Sequence, residues 1–505
     1  TNQSSFESFM GLLPGGFLDT GREYEYEGDF SMKGYVRGKA GAGQAPKVHM
    51  DYLVRNGAFH YVGYDSRLTD VQMKGGLHLD PADDENSWFK VEDFRTKLRD
   101  KPLSGHFAWQ RFQDPRLAME LKGDIGLQDI RDFYPAFADS TRLEGDVNVD
   151  LHVEGRIADF EQRKYRAIKA MGNLRFADIR IADPRLDYPF ENLRGDIAVN
   201  NHIVQVNKFS GKVSHSDFDI NGTVTEYLPY IFEENGKIRG KVELRSQRMD
   251  LNEWLITEAP EVKDPLPGQE EETEQFAFRL PEHMDFEIRT DVGHFELAKL
   301  DARNVQGSCH LHDQVLKLHG LRMDACDGAM VMSGMLRVVN RDLMKVKIDA
   351  NILDVDINQS FKTFDQLAAF ALVEKNLYGR FSGDVHVTGD LNQFMELDGN
   401  SLYSYGSVSL KNGKLVDFEP LEGLAGFIKL EELRHIEFSD VNTGFRIEEG
   451  YFYIPKMALT ANRFGLEVSG RHGFDNSLDY RVAVELPRKE ARRAGNKDVL
   501  ALVDM

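Results

Sequence analysis

From Tyr24 onward apolar and charged residues alternate with a period of two, as in Tyr24, Tyr26, Phe30 and Met32 with glutamate, aspartate and lysine between them. Such alternation predicts strands with one buried and one wet face. It continues almost to the end of the chain. Asn56-Gly57, Asn200-Asn201, Asn235-Gly236 and Asn412-Gly413 interrupt it, dipeptides that tolerate positive φ and so predict tight hairpins. Short hairpins make successive strands antiparallel neighbours, which predicts a long meander. Helical spacing is rare. Residues 1–22 carry Phe6, Phe9, Met10 and Leu13 before Pro14-Gly15-Gly16 and predict a short amphipathic segment. Phe361, Phe364, Leu367, Ala368, Ala371 and Leu372 follow Ser360, which is expected as an N-cap. Pro420 to Ile436 predicts one more helix, its apolar residues including Leu421, Leu424, Phe427 and Ile428.

The same pattern is written more than once. At an offset of 234 positions, Leu143/Leu377, Gly145/Gly379, Asp150/Asp384, His152/His386, Val153/Val387, Gly155/Gly389, Phe160/Phe394 and Gly172/Gly406 are identical. The same offset aligns His49-Met50-Asp51 with His283-Met284-Asp285, and Leu77-His78 with Leu311-His312. Half the offset gives four related units of about 117 residues, beginning near Tyr26, Leu143, Pro260 and Leu377. Within them two glycines stand 27 apart, Gly195 and Gly222, then Gly307 and Gly334; in the fourth unit Thr443 replaces the first and Gly470 is the second. The first unit has Gly75 and Gly105, with an insertion around Asp80 to Trp88. Glycines at regular strand positions are expected where a sheet bends sharply. The expected organisation is an amphipathic segment at 1–22, a first duplicated half at 23–259, an acidic linker or degenerate unit start at 260–282, a second half at 283–487 and a basic tail at 488–505.

Composition narrows the classes. An apolar fraction of 41% excludes a disordered chain, and a net charge of −21 argues against nucleic acid as a partner. Cys309 and Cys326 are the two cysteines, expected as buried thiols, although pairing stays open. No run of 18 apolar residues exists to span a membrane as a helix. The chain begins at Thr1 without initiator Met or signal peptide, as expected of a processed fragment.

Chemistry-bearing motifs are absent: no nucleophile elbow, zinc-protease helix, paired-cysteine motif or P-loop is present. Asp80, Asp83, Asp84 and Glu85 lack the central glycine of a calcium loop and are expected to form a solvated loop. The recurring histidines His78/His312 and His152/His386 fall on polar strand faces, with no three-ligand cluster visible in the sequence. Asp129, Asp250, Asp354 and Asp356 end strands and are expected to satisfy turn backbone. No catalytic residue, metal or cofactor is expected, and the chain reads as a non-enzyme.

The repeated unit of Leu-x-Gly, strand, turn, strand and apolar-x-apolar-x-Gly resembles the AsmA-like family of bacterial envelope proteins, the group of AsmA and TamB. The likeness is clearest over 377–486, in Gly406 to Leu415, Phe418, Pro420-Leu421, Ile436 to Asp440 and Leu478 to Val482. It implies a long curved antiparallel sheet folded into a hydrophobic groove. It also implies a periplasmic protein anchored to the inner membrane, moving phospholipid between the inner and outer membranes and supporting outer-membrane integrity. Phospholipid acyl chains, both membranes and other envelope proteins are the partners implied. Physics points the same way, since helices are too few to cover the apolar strand faces, which must curl on themselves or shelter something apolar. One sixteen-carbon acyl chain gains roughly 10 kcal/mol on burial. The expected groove residues are Phe218, Ile220, Val224, Met330, Met332, Leu336, Phe464, Leu466 and Val468. Leu421, Leu424, Phe427 and Ile428 are expected as a cap or gate over the groove. The competing expectation is a scaffold or chaperone-like factor in outer-membrane protein assembly, whose sheet edges pair with client strands.

Overall fold

The computed structural model describes residues 24–41, 45–61, 66–131, 141–162, 164–183, 188–233, 235–254, 280–364, 376–417, 434–461, 464–475, 477–485 and 503–504. The chain is mostly β, a long antiparallel meander with four short helices among those residues. It divides into two compact units. One comprises Thr1–Pro184, Tyr188–Ser214 and Asp219–Val242, and the other Glu243–Met505 with Arg185–Asp187 and His215–Phe218.

The first unit holds β1 (Tyr24–Arg37), β2 (Lys47–Tyr61), β3 (Arg67–Leu79), β4 (Trp88–Leu98), β5 (Lys101–Gln110), β6 (Arg116–Gly126), β7 (Arg142–Arg156), β8 (Lys169–Ala182), β9 (Phe190–Asn200) and β10 (Ile203–Val213). Each pairs antiparallel with the next. β11 (Ser216–Thr225) and β12 (Ile238–Asp250) contribute residues to both units. The second unit holds β13 (Met284–Leu297), β14 (Leu300–His312), β15 (Val315–Ala325), β16 (Gly328–Asn340), β17 (Leu343–Asp356), β18 (Leu377–Leu391) and β19 (Tyr403–Val416). It continues through β20 (His435–Phe438), β21 (Val441–Glu448), β22 (Tyr451–Ala461), β23 (Phe464–Gly473) and β24 (Leu478–Glu485). Pairing is again sequential, except that β19 carries both β20 and β21 and that β20 also meets β22.

The offset of 234 extends to backbone conformation. β8 and β19 occupy the same positions displaced by that offset. Gly145 and Gly379 have φ of 105° and 140° and stand unpaired at register shifts in β7 and β18. Only glycine enters that region without a Cβ clash, so each makes a bulge that increases local twist. Asp70 and Asn304, and Asp178 and Asn412, are left-handed at matching positions, with φ between 52° and 54°.

These bulges correct the hairpin expectation at two places. Asn56-Gly57 and Asn412-Gly413 lie inside β2 and β19, not at their ends. Their tolerance of positive φ suits a bulge as well as a turn, and the dipeptide alone does not distinguish the two. Asn200-Asn201 does stand at a hairpin, because Asn200 pairs with Ile203. Asn235-Gly236 follows a short helix, Tyr227–Phe232, rather than joining two strands directly. Several true hairpins use less conspicuous residues. Asp313-Gln314 and Cys326-Asp327 have positive φ at both central positions, the geometry that matches strand twist.

The second glycine position of each of the four units has one structural role. A Cβ on Gly105, Gly222, Gly334 or Gly470 would overlap the carbonyl oxygen of Glu120, Lys241, Lys347 or Asp479 on the next strand. Four different neighbours thus approach the same repeat position too closely for any side chain. Gly75 likewise leaves room for the ring of Tyr52, whose hydroxyl donates to the Lys90 carbonyl at 2.7 Å. Burial pushes that phenol well above its ordinary range. Tyr52 stacks on Phe89 at 5.7 Å, within a first-unit core that also contains Phe30, Val54, Leu77 and Val91. The second unit has its own core of Met249, Val292, Ala302, Val305, Met323, Ala325, Met330 and Val355.

Local polar interactions close the strand ends. The helix Ile357–Thr363 is capped four residues before the expected position: Asp356 is its N-cap and accepts from Gln359 N at 2.8 Å. Ser360 lies within the helix, buried, its hydroxyl donating to the Asp356 carbonyl. Asp250 accepts from Asn252 N at 2.9 Å, in the backbone-satisfying role expected of it. Asp129 is buried and accepts from Ser66 and Arg99. The acidic loop at 80–85 spends its carboxylates internally. Asp80 binds Lys47, Asp83 caps a turn, and Asp84 accepts from Phe112 N and Gln113 N.

Candidate functional site

Period-two alternation gives each second-unit strand one apolar face, and these faces converge on a cavity of about 1450 Å³. On β16, Met330, Met332 and Leu336 line it; on β17, Val346, Ile348, Ala350 and Ile352; on β18, Phe381, Val385, Val387 and Leu391. β23 contributes Leu466 and Val468, and the helix after β17 contributes Ile357 and Phe361. The wall has gaps in its side-chain sequence at Gly334, Gly383, Gly406 and Gly470. A Cβ at each would overlap a neighbouring backbone carbonyl, so no side chain fits there.

Among the described lining residues, charge is confined to Lys299 and Glu396. Both lie in connections, Lys299 in the β13–β14 turn and Glu396 in the loop after β18, where Asn392 donates to its carboxylate at 2.7 Å. Apolar walls with polar groups at the strand ends suit an apolar ligand held without a specific headgroup contact. His472 is the unusual wall residue. It is 2% exposed, and burial lowers its imidazole below the ordinary value, partly offset by the Asp475 carboxylate. It therefore stays neutral at neutral pH. Tyr480 in the same wall is pushed up to about 12 by burial. Cys309 also lines the cavity, its thiol raised by burial; it and Cys326 are both free.

Of the nine expected groove residues, Met330, Met332, Leu336, Leu466 and Val468 line this cavity. Phe218 is buried, and Ile220 and Val224 are half-buried in β11, but none of the three is among the lining residues. The side chain of Phe464 lies outside the described residues, as do Leu421, Leu424, Phe427 and Ile428. The sequence did not single out β17 or the helix residue Phe361 as wall. For β17 the signal was the alternation itself, with Lys345 and Lys347 outward and Val346 and Ile348 inward.

Register also assembles polar sets that spacing along the chain hides. His106, Glu120 and His152 come together on three adjacent strands of the first unit, and Asp285, His310 and His312 on two strands of the second. Two clusters of three metal-binding residue types are thus present where none was visible in the sequence. Among the described residues, no helix is long and apolar enough to cross a membrane.

The fold and cavity define a class: a mostly β, antiparallel meander protein with an apolar cavity walled by strand faces. Comparison with protein-family models, curated proteins and solved structures gives no significant match.

Proposed function

We propose that the second-unit cavity holds phospholipid acyl chains and that the protein serves phospholipid movement between the inner and outer membranes of a bacterial envelope. In this proposal it is a periplasmic, non-enzymatic, AsmA-like groove protein tied to the inner membrane, and it supports outer-membrane integrity. The observation that carries the proposal is the cavity itself, about 1450 Å³ and apolar over all but a few lining residues. Ligand pockets for drug-sized molecules run to roughly 1,000 Å³, so this one suits something longer and greasier. Burial of acyl methylenes at about 0.8 kcal/mol each supplies affinity without any headgroup site.

The test is extraction of the purified protein with organic solvent and mass spectrometry of the extract. Phospholipid should be recovered from the wild type. It should fall strongly in Ala350→Trp, which fills the cavity from an already apolar wall position without adding charge. A lipid-free wild-type extract, or unchanged lipid in a folded Ala350→Trp variant, would count against the proposal.

A further inference from the structure

The outer faces of β5, β6 and β7 carry a constellation unrelated to the cavity. Register sets His106 opposite Glu120, and Glu120 opposite His152. One carboxylate therefore stands between two imidazoles on three neighbouring strands. Each residue offers a donor atom, and these atoms lie within 4.8 Å of one another. The two oxygens of Glu120 are divided in their contacts. Oε1 accepts from Lys122 Nζ at 2.6 Å, while Oε2 faces His106 Nδ1 at 3.5 Å.

We infer that His106, Glu120 and His152 bind a divalent transition ion of the zinc class. Two imidazole nitrogens and one carboxylate oxygen form the borderline-soft donor set that such ions take. Coordination at about 2.0–2.2 Å requires the donors to draw together by roughly 1 Å, which half-exposed side chains on a strand surface accommodate. Lys122 then acts on Oε1, while Oε2 faces His106, and orients the carboxylate from outside. It also has a second anion within reach, Asp150 at 3.6 Å. Three protein donors leave a further position open to water.

The duplication supplies an internal comparison. His386 repeats His152, and it pairs across strands with Asp349 as His152 does with Glu120. Opposite Asp349 on the far side stands Ser333, where the first unit has His106. That site keeps an imidazole and a carboxylate but lacks the third donor.

Isothermal titration of the full chain with zinc chloride, in buffer free of chelators, tests the assignment. The wild type should show a binding event that weakens by at least about tenfold in H106A, E120Q and H152A. The event should be unmoved in H386A and in H310A. Far-UV circular dichroism checks that each variant keeps its strands. No event in the wild type, an event unaffected by all three substitutions, or one removed by H310A instead would overturn the inference.

Discussion

At Gly334 and Gly470 the backbone of the next strand occupies the space where a side chain would begin. Gly334→Ala and Gly470→Ala should each cost about 1–3 kcal/mol, because carbonyls in a hydrogen-bonded ladder cannot step aside. Gly444→Ala should cost far less, since its added carbon would meet only the Gly406 carbonyl, at an ordinary 3.5 Å. Urea unfolding of the three variants measures the contrast, and equal midpoints would contradict it. His472 makes a pH prediction. Its folded value lies below its unfolded value of about 6.5, so its contribution to stability is complete above that pH. It is lost as pH falls below 6.5, where the unfolded chain binds the proton more readily. Asp475, whose carboxyl is lowered by Ser477, loses its contribution only further down, below the usual carboxylate value near 4. The fall in Tm between pH 7 and pH 5 should therefore be smaller in His472→Asn than in the wild type. An identical slope would show that the buried imidazole is not the group responsible.

At the level of elements, the helix Ile357–Thr363 hangs on one cap. Asp356→Ala should cost about 0.5–2 kcal/mol, while Asp356→Asn should retain most of the stability. Thermal melts of the pair decide it, and equal losses would mean that the cap hydrogen bond is not what holds the helix. Strands were legible in the sequence because their alternation is a local signal, and β17 shows it with Lys345 and Lys347 wet between Val346 and Ile348. Helix starts and turns were less so. Asp356 and Ser360 both suit an N-cap, and only the last strand residue of β17 fixes which one is used. Asn56-Gly57 and Asn412-Gly413 announced positive φ correctly but not whether the strand ended there. Cys326-Asp327 turns tightly with no glycine at either central position, Gly328 standing at the start of the next strand.

For the molecule, the antiparallel meander followed from short connections, and the recurrence of glycines marks positions such as Gly334 and Gly470 where the next strand's carbonyl leaves no room for a side chain. Register was not readable. It decides that Met332 and Leu466 share one cavity while Phe218, with the same apolar alternation around it, does not line it. It also decides that His106 meets His152 across Glu120, although 46 positions separate the two histidines along the chain. The central claim is that the cavity is an acyl-chain site rather than a dry core. The most direct measurement places a photo-crosslinking amino acid at Met332 and at Leu466 in cells, with the exposed Lys347 as the comparison. The account predicts phospholipid adducts at Met332 and Leu466 and none at Lys347. Crosslinks from Met332 and Leu466 to neighbouring protein alone would contradict it.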